Sequence, residues 1–257
     1  MQIAIRATLL AAAAIFLSAQ IPSAPAAELQ VYSSVAVKGA LEELASRFEK
    51  ASGNRMVMTW GTAAMLAKRV QGGENPDVLI LTPQSLEILI KEGKASATAN
   101  PALVSSSIGV VVKAGSPKPD IATKEAFKST LLAAKSISYS NPAAGGASGV
   151  FIAKLLERMG ISEQIKAKTK FPPDGGFAAT LVLSGEAEIA IQQNPEVTAV
   201  KGVDFVGILP GDYNSITVFS AGIGARSNDP TKSDQLIKFL HSPEATAVFK
   251  AHGLDPA

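Results

Sequence analysis

The stretch LQVYSSVAVKGALEELASRFEKASG, residues 29–53, decides the fold. Its first six residues alternate as a short strand. The rest places Leu41, Leu44, Ala45 and Phe48 on one face of a helix, and Gly53 supplies the stop. Moving forward, residues 55–60 read as a second strand, and GTAAMLAKRVQGG (61–73) as a helix carrying Met65, Leu66 and Val70 with a Gly72-Gly73 exit. DVLILT (77–82) is a continuous apolar run between Pro76 and Pro83, the pattern of a strand buried on both faces of a parallel sheet. A further helix runs from Pro83, acceptable in a first turn, to Gly93. Strand and helix alternating three times imply right-handed crossovers on a parallel sheet, hence an α/β fold.

SSSIGVVVKAG, residues 105–115, interrupts this rhythm as one long strand with no helix directly before it and Pro117 and Pro119 soon after. Beyond it come the strand SISYSNP, a Gly-rich turn, helices in VFIAKLLERMG and GFAATLVLSG, and strands in EIAIQQ and VDFVGILP. ITVFSAGIGA (216–225) is a second long strand, followed by closing helices around residues 236–240 and 243–250. If both long strands are crossings, the tail rejoins the first half. The expectation is two α/β lobes with a two-strand hinge and an interlobe cleft, lobe 1 being residues 28–107 plus 216–257 and lobe 2 residues 108–215.

In the other direction, MQIAIRATLLAAAAIFLSAQIPSAPAA (1–27) has Arg6, an apolar run from Ala7 to Phe16 and small residues up to Ala27, the three parts of a signal peptide. The run is shorter than the roughly 20 residues a membrane span needs. Cleavage near Ala26 or Ala27, a periplasmic location and no membrane anchor are therefore expected. The 257 residues contain no cysteine, which excludes a disulfide scaffold, Cys-based metal or redox chemistry, and a lipid-anchoring cysteine. A net charge of +2, from 24 basic and 22 acidic residues, leaves no footprint for nucleic acid. Aromatic residues are 5% of the chain, too few for stacking platforms. A monomer binding a small, hydrogen-bonding ligand suits this composition.

Ligands of open α/β sheets sit beyond the carboxyl ends of strands, where helix starts present unpaired N–H groups. Three junctions have that character. Ser33-Ser34 offers two hydroxyls, although a serine pair there is also an ordinary helix cap. Gly61-Thr62-Ala63-Ala64 lets a ligand approach the backbone, or simply makes a turn and a cap. NPAAGGASGV (141–150) leads with Ser148 and Gly149 into a helix; it is either a flexible connection or an anion nest. It carries no Gly-Lys-Ser/Thr, and Val150 stands where a nucleophile elbow requires glycine. Opposite, Gln192-Gln193-Asn194 closes a strand with amides that can discriminate carboxylate or hydroxyl groups. His241 and His252 read as helix-end groups; neither a metal site nor a Ser/His/Asp triad has support, and no cofactor is expected.

Taken in order, VYSSVAVKGALEELASRFEKASG, WGTAAMLAKRVQGGENPDVLILT, SNPAAGGASGVFIAKLLERMG and LVLSGEAEIAIQQNPEV resemble the periplasmic molybdate-binding family, type II solute-binding proteins that feed ABC importers. The resemblance covers nearly the whole chain after residue 27 and implies a type II periplasmic-binding-protein fold. It also implies a small anion held between two lobes by hydroxyls and backbone amides. Carried onto this sequence, those donors are Ser33, Ser34, Gly61, Thr62, Ala63, Ser148, Gly149 and Gln193, and the partner is an inner-membrane ABC permease. Two departures matter. The family shows Gly-Ser-Ser-Gly or a close variant where this chain has Gly61-Thr62-Ala63-Ala64, and a tyrosine where it has Gln192-Gln193-Asn194. Loss of those hydroxyls counts against molybdate itself and leaves the expected ligand open between another small oxyanion and a di- or tricarboxylate. The same scaffold carries aconitate isomerase, so an allylic proton shift is the alternative activity, with Lys38, Tyr139, Asp212 and Tyr213 as candidate bases.

Overall fold

The opening strand forms as its alternation dictates. The computed structural model describes residues 28–96 and 102–257, so the leader expected over residues 1–27 lies outside the described residues. β1 (Glu28–Ser34) pairs in parallel with β2 (Arg55–Gly61) on one side and β3 (Val78–Leu81) on the other. α1 (Lys38–Ser52) connects β1 to β2, α2 (Ala63–Gln71) connects β2 to β3, and α3 (Pro83–Lys91) follows β3. Leu41, Leu44 and Phe48 of α1 are buried, and Gly53 ends the helix in the left-handed region at φ 70°. β3 is covered on both faces, as its unbroken apolar run requires. Val78 and Ile80 pack with α1, while Leu79 and Leu81 pack with Leu66 and Val70 of α2 and Leu86 and Leu89 of α3.

The segment read as one long strand over residues 105–115 is two. β4 (Ala102–Ser106) and β5 (Ile108–Lys113) part at Ser107 and enter different sheets. The second sheet adds β6 (Ile137–Tyr139), β7 (Thr169–Lys170), β8 (Ile189–Gln193) and β9 (Val203–Ile208), in the order β7-β6-β8-β5-β9. α4 (Lys124–Ala133), α5 (Ala147–Arg158) and α6 (Ser162–Lys166) cover one face; α7 (Ala179–Ser184) and α8 (Asn194–Thr198) cover the other. The sequence reading missed α4, α6, α8 and β7. α6 and α8 are each five residues long and β7 two, while α4 buries only Phe127 and Leu131. Such segments are too short or too sparsely apolar to show a period.

The chain then returns. β10 (Thr217–Ile223) inserts antiparallel between β3 and β4, and after α9 (Pro230–Leu240) and α10 (Pro243–Ala251) the short β11 (Asp255–Pro256) completes the order β11-β4-β10-β3-β1-β2. α9 and α10 bury Leu236, Leu240, Val248 and Phe249 on the face that also carries α1. β10 lies wholly in the first sheet. The return crossing is instead made by residues 209–216, where Pro210 offers no N–H to a sheet and Gly211 turns at φ +52°. Asn214 ties the two crossings together: its Oδ1 accepts from the Ile108 N–H at 3.0 Å and from the Ser215 N–H at 2.9 Å. Among the described residues no helix is long and apolar enough to cross a membrane.

Candidate functional site

Strands of both sheets end at one cavity of about 500 Å³, solvent at its mouth included. Ser34 ends β1, Thr62 follows β2, Thr82 follows β3, Ser140 follows β6, and Gln192 and Gln193 end β8. At each of these ends the chain turns into a helix or a 3-10 turn, so helix starts are gathered around the space. The start of α5 is the most available of them. Its cap residue is Gly146, no side chain caps it, and Ala147 and Ser148 line the cavity. Unpaired N–H groups and the positive end of a twelve-residue helix therefore face the interior.

Of the residues singled out from the sequence, Ser34, Thr62, Ala63, Ser148 and Gln193 line this cavity; Ser33, Gly61 and Gly149 do not. Ser33 is fully buried, and its hydroxyl leans on the Ser34 carbonyl at 3.3 Å. A period of two along β1 sends neighbours to opposite faces. Gly149 has a packing role: a Cβ there would stand 2.3 Å from the Ser140 carbonyl oxygen, so glycine lets α5 lie against the end of β6. Gly61 likewise leaves room for Met65.

Thr62 is fully engaged. Its Oγ1 accepts from the Met65 N–H at 3.2 Å, capping α2, and donates to the Ala144 carbonyl at 2.7 Å, reaching from the first sheet's side to the loop before α5. Gly145, beside that contact, has a left-handed φ of 71°, and a Cβ on it would be 2.7 Å from Ala64 Cβ. By contrast the Ser148 hydroxyl, buried to 3% exposure, bonds no group among the described residues.

Several lining residues escaped the sequence reading: Thr82, Ser140, the loop Pro172–Gly176, and Glu196. Gln192 places two of these features. Its Nε2 donates to Ser140 Oγ at 2.7 Å and to the Gly176 carbonyl at 3.1 Å, and its Oε1 accepts from the Ala178 N–H at 2.7 Å. Gln193 reaches back to the first sheet, where Nε2 donates to Thr217 Oγ1 at 2.8 Å; its buried Oε1 has no partner. Glu196 is 5% exposed and accepts from the Gln193 N–H at 3.3 Å through Oε2. Burial pushes its carboxyl up to about 8, the hydrogen bond from Gln193 opposing only part of that rise. Burial therefore favours its protonated form.

The lining contains no lysine, arginine or histidine. Among the described residues no group of three or more His, Cys, Asp or Glu could hold a metal ion. The candidate bases named from the sequence all lie outside the cavity. Lys38 pairs with Glu42 at 3.5 Å and sits over Trp60. Tyr139 is buried in the second core with its ring edge-on to Phe171. Asp212 pairs with Lys124, and Tyr213 lies between Lys124 and Arg158.

The sequence profile of the bacterial extracellular solute-binding protein family matches residues 29–255. An aconitate isomerase of a Pseudomonas species is 32% identical over 238 residues, covering 90% of this chain and 89% of that one. The molybdate-binding protein ModA of Escherichia coli is 24% identical over 228 residues, covering 88% of each. Among solved structures, the periplasmic molybdate-binding protein of Azotobacter vinelandii superposes with a TM-score of 0.75 at 21% identity, covering 89% of this chain and 99% of that one.

Proposed function

The chain belongs to the bacterial extracellular solute-binding protein family, and from that premise we propose that it captures a small anion bearing two or three carboxylates in the periplasm and presents it to an inner-membrane ABC permease. The observation that carries this reading is a cavity of uncharged donors: the Ser34 and Ser148 hydroxyls and the uncapped start of α5, with no basic side chain in the wall. Such donors suit an anion because N–H and O–H groups satisfy its oxygens without a salt bridge. A carboxylate is preferred over molybdate because the second junction offers Thr62, whose proton is committed to Ala144, followed by Ala63 and Ala64. In this reading residues 1–27 are the export signal. Residues 28–107 with 216–257 form one lobe and 108–215 the other, with closure about the Ser107 and 209–216 crossings.

Titration calorimetry with molybdate, sulfate, citrate, propane-1,2,3-tricarboxylate and cis-aconitate tests the reading. Heat with the carboxylates and none with the oxyanions is expected. Silence across all five overturns it.

A second reading, an isomerase acting on an unsaturated tricarboxylate such as aconitate, is favoured by one feature that anion capture leaves unused: the acid Glu196 in the cavity wall. The similarity to an aconitate isomerase supports it.

A further inference from the structure

We propose that Glu196 is the catalytic acid–base of this cavity, moving one proton between two carbons of a bound unsaturated di- or tricarboxylate and so shifting its double bond. The inference rests on the reading of the cavity as a carboxylate binder. Its geometric basis is that only Asp174 and Glu196 among the lining residues carry carboxyl groups, and the two differ in setting. Asp174 is exposed on the loop Pro172–Gly176. Glu196 is buried, with Oε2 held by the Gln193 N–H and Oε1 bonded to no group among the described residues. One oxygen fixes the side chain; the other is free for chemistry.

The turn at Gly253 is bonded to Asn194 of α8, and its neighbour His252 is engaged with Glu43. β8 and the turn Val35–Val37 contain no titratable residue, and Lys38, next in sequence, is turned to Glu42 and Trp60. β5 and β9 contribute Lys113 and Asp204, both at the strand ends remote from the Ile108–Gln193 pair. Across the cavity stands Asp174. A carboxyl so placed alternates between proton holder and proton acceptor near neutral pH, the condition for efficient general acid–base work.

The step balances without any co-reactant. The Glu196 carboxylate takes a proton from the saturated carbon that flanks one substrate carboxylate. The electron pair left behind forms a new double bond to the central carbon, while the original π pair moves to the far carbon. That carbon then takes the proton from Glu196, which returns to its carboxylate form. In transit the negative charge spreads toward the substrate carboxylate, where Ser34, Ser148 and the first N–H groups of α5 stabilise it. Because the carboxylate form starts the cycle and burial holds that group up to about 8, kcat/KM rises about tenfold per pH unit below that point and levels above it.

The test uses the full chain with cis-aconitate in deuterated water, followed by proton NMR, beside calorimetry with propane-1,2,3-tricarboxylate. The wild type is expected to interconvert the cis and trans forms with the pH profile above. Glu196→Gln should keep the calorimetric affinity within about threefold, which also reports a folded cavity, and lose turnover by roughly a hundredfold or more. Glu196→Asp should retain part of the rate. Binding without turnover or deuterium exchange in the wild type, or full turnover by Glu196→Gln, overturns the role of Glu196 and leaves anion capture standing. Absence of binding to every carboxylate overturns both.

Discussion

Ser148 and Gly149 are neighbours with opposite dependences on ligand. Ser148 has a buried hydroxyl with no partner among the described residues, so Ser148→Ala should leave the unliganded melting temperature almost unchanged and weaken carboxylate binding by roughly ten- to a hundredfold, read by calorimetry. Gly149→Ala should do the reverse. A Cβ set 2.3 Å from the Ser140 carbonyl must push α5 away, lowering stability by about 1–3 kcal/mol in urea unfolding. Glu196 adds a pH signature. Its folded-state value of about 8 lies above the ordinary 4.5, so the folded chain keeps a proton that the unfolded chain has released. That contribution is fully present below about 4.5 and is lost as pH rises through about 8. Between pH 5 and 8 the wild type should lose thermal stability relative to Glu196→Gln, and calorimetric scans at several pH values would show the two curves diverging. The hydroxyls of Ser34 and Ser148 were legible because small polar residues at strand-to-helix junctions stand out. Glu196 was not. Three residues past the end of a strand, a glutamate reads as a helix-start acid, and only the packing of α8 against β5, β8 and β9 shows that it is enclosed.

At the scale of elements, the cavity is closed by contacts between parts far apart in sequence. The Thr62 bond to Ala144 both caps α2 and holds the loop before α5. Thr62→Val removes both functions; a cap contributes about 1 kcal/mol, and in the proposed two-lobe reading the loop contact favours closure. Small-angle scattering should show a larger unliganded radius of gyration for Thr62→Val, with saturating carboxylate restoring the wild-type value. An unchanged radius would mean that the contact does not govern closure. The helices and strands with strong period, α1, α2, β3 and β10 among them, were readable because each carries its own burial pattern. The loop Pro172–Gly176 was not, since PPDGG has no period, and it reaches the cavity only because Gln192 holds Gly176 and Ala178.

At the scale of the whole molecule, the sequence announced two changes of sheet but read each as carried by one continuous strand. Length alone suggested one continuous strand over 105–115, whereas Ser107 belongs to neither sheet and Asn214 ties the outgoing path to the returning one. The sheet order carries a temporal consequence. Among the described residues β4 pairs only with β10 and β11, whose residues begin at Thr217 and Asp255. The second sheet, by contrast, draws every strand from residues 108–208. A nascent chain emerging amino end first can finish that contiguous sheet while β4 still waits with bare edges for its neighbours to be synthesised. The half begun earliest is thus the half completed last.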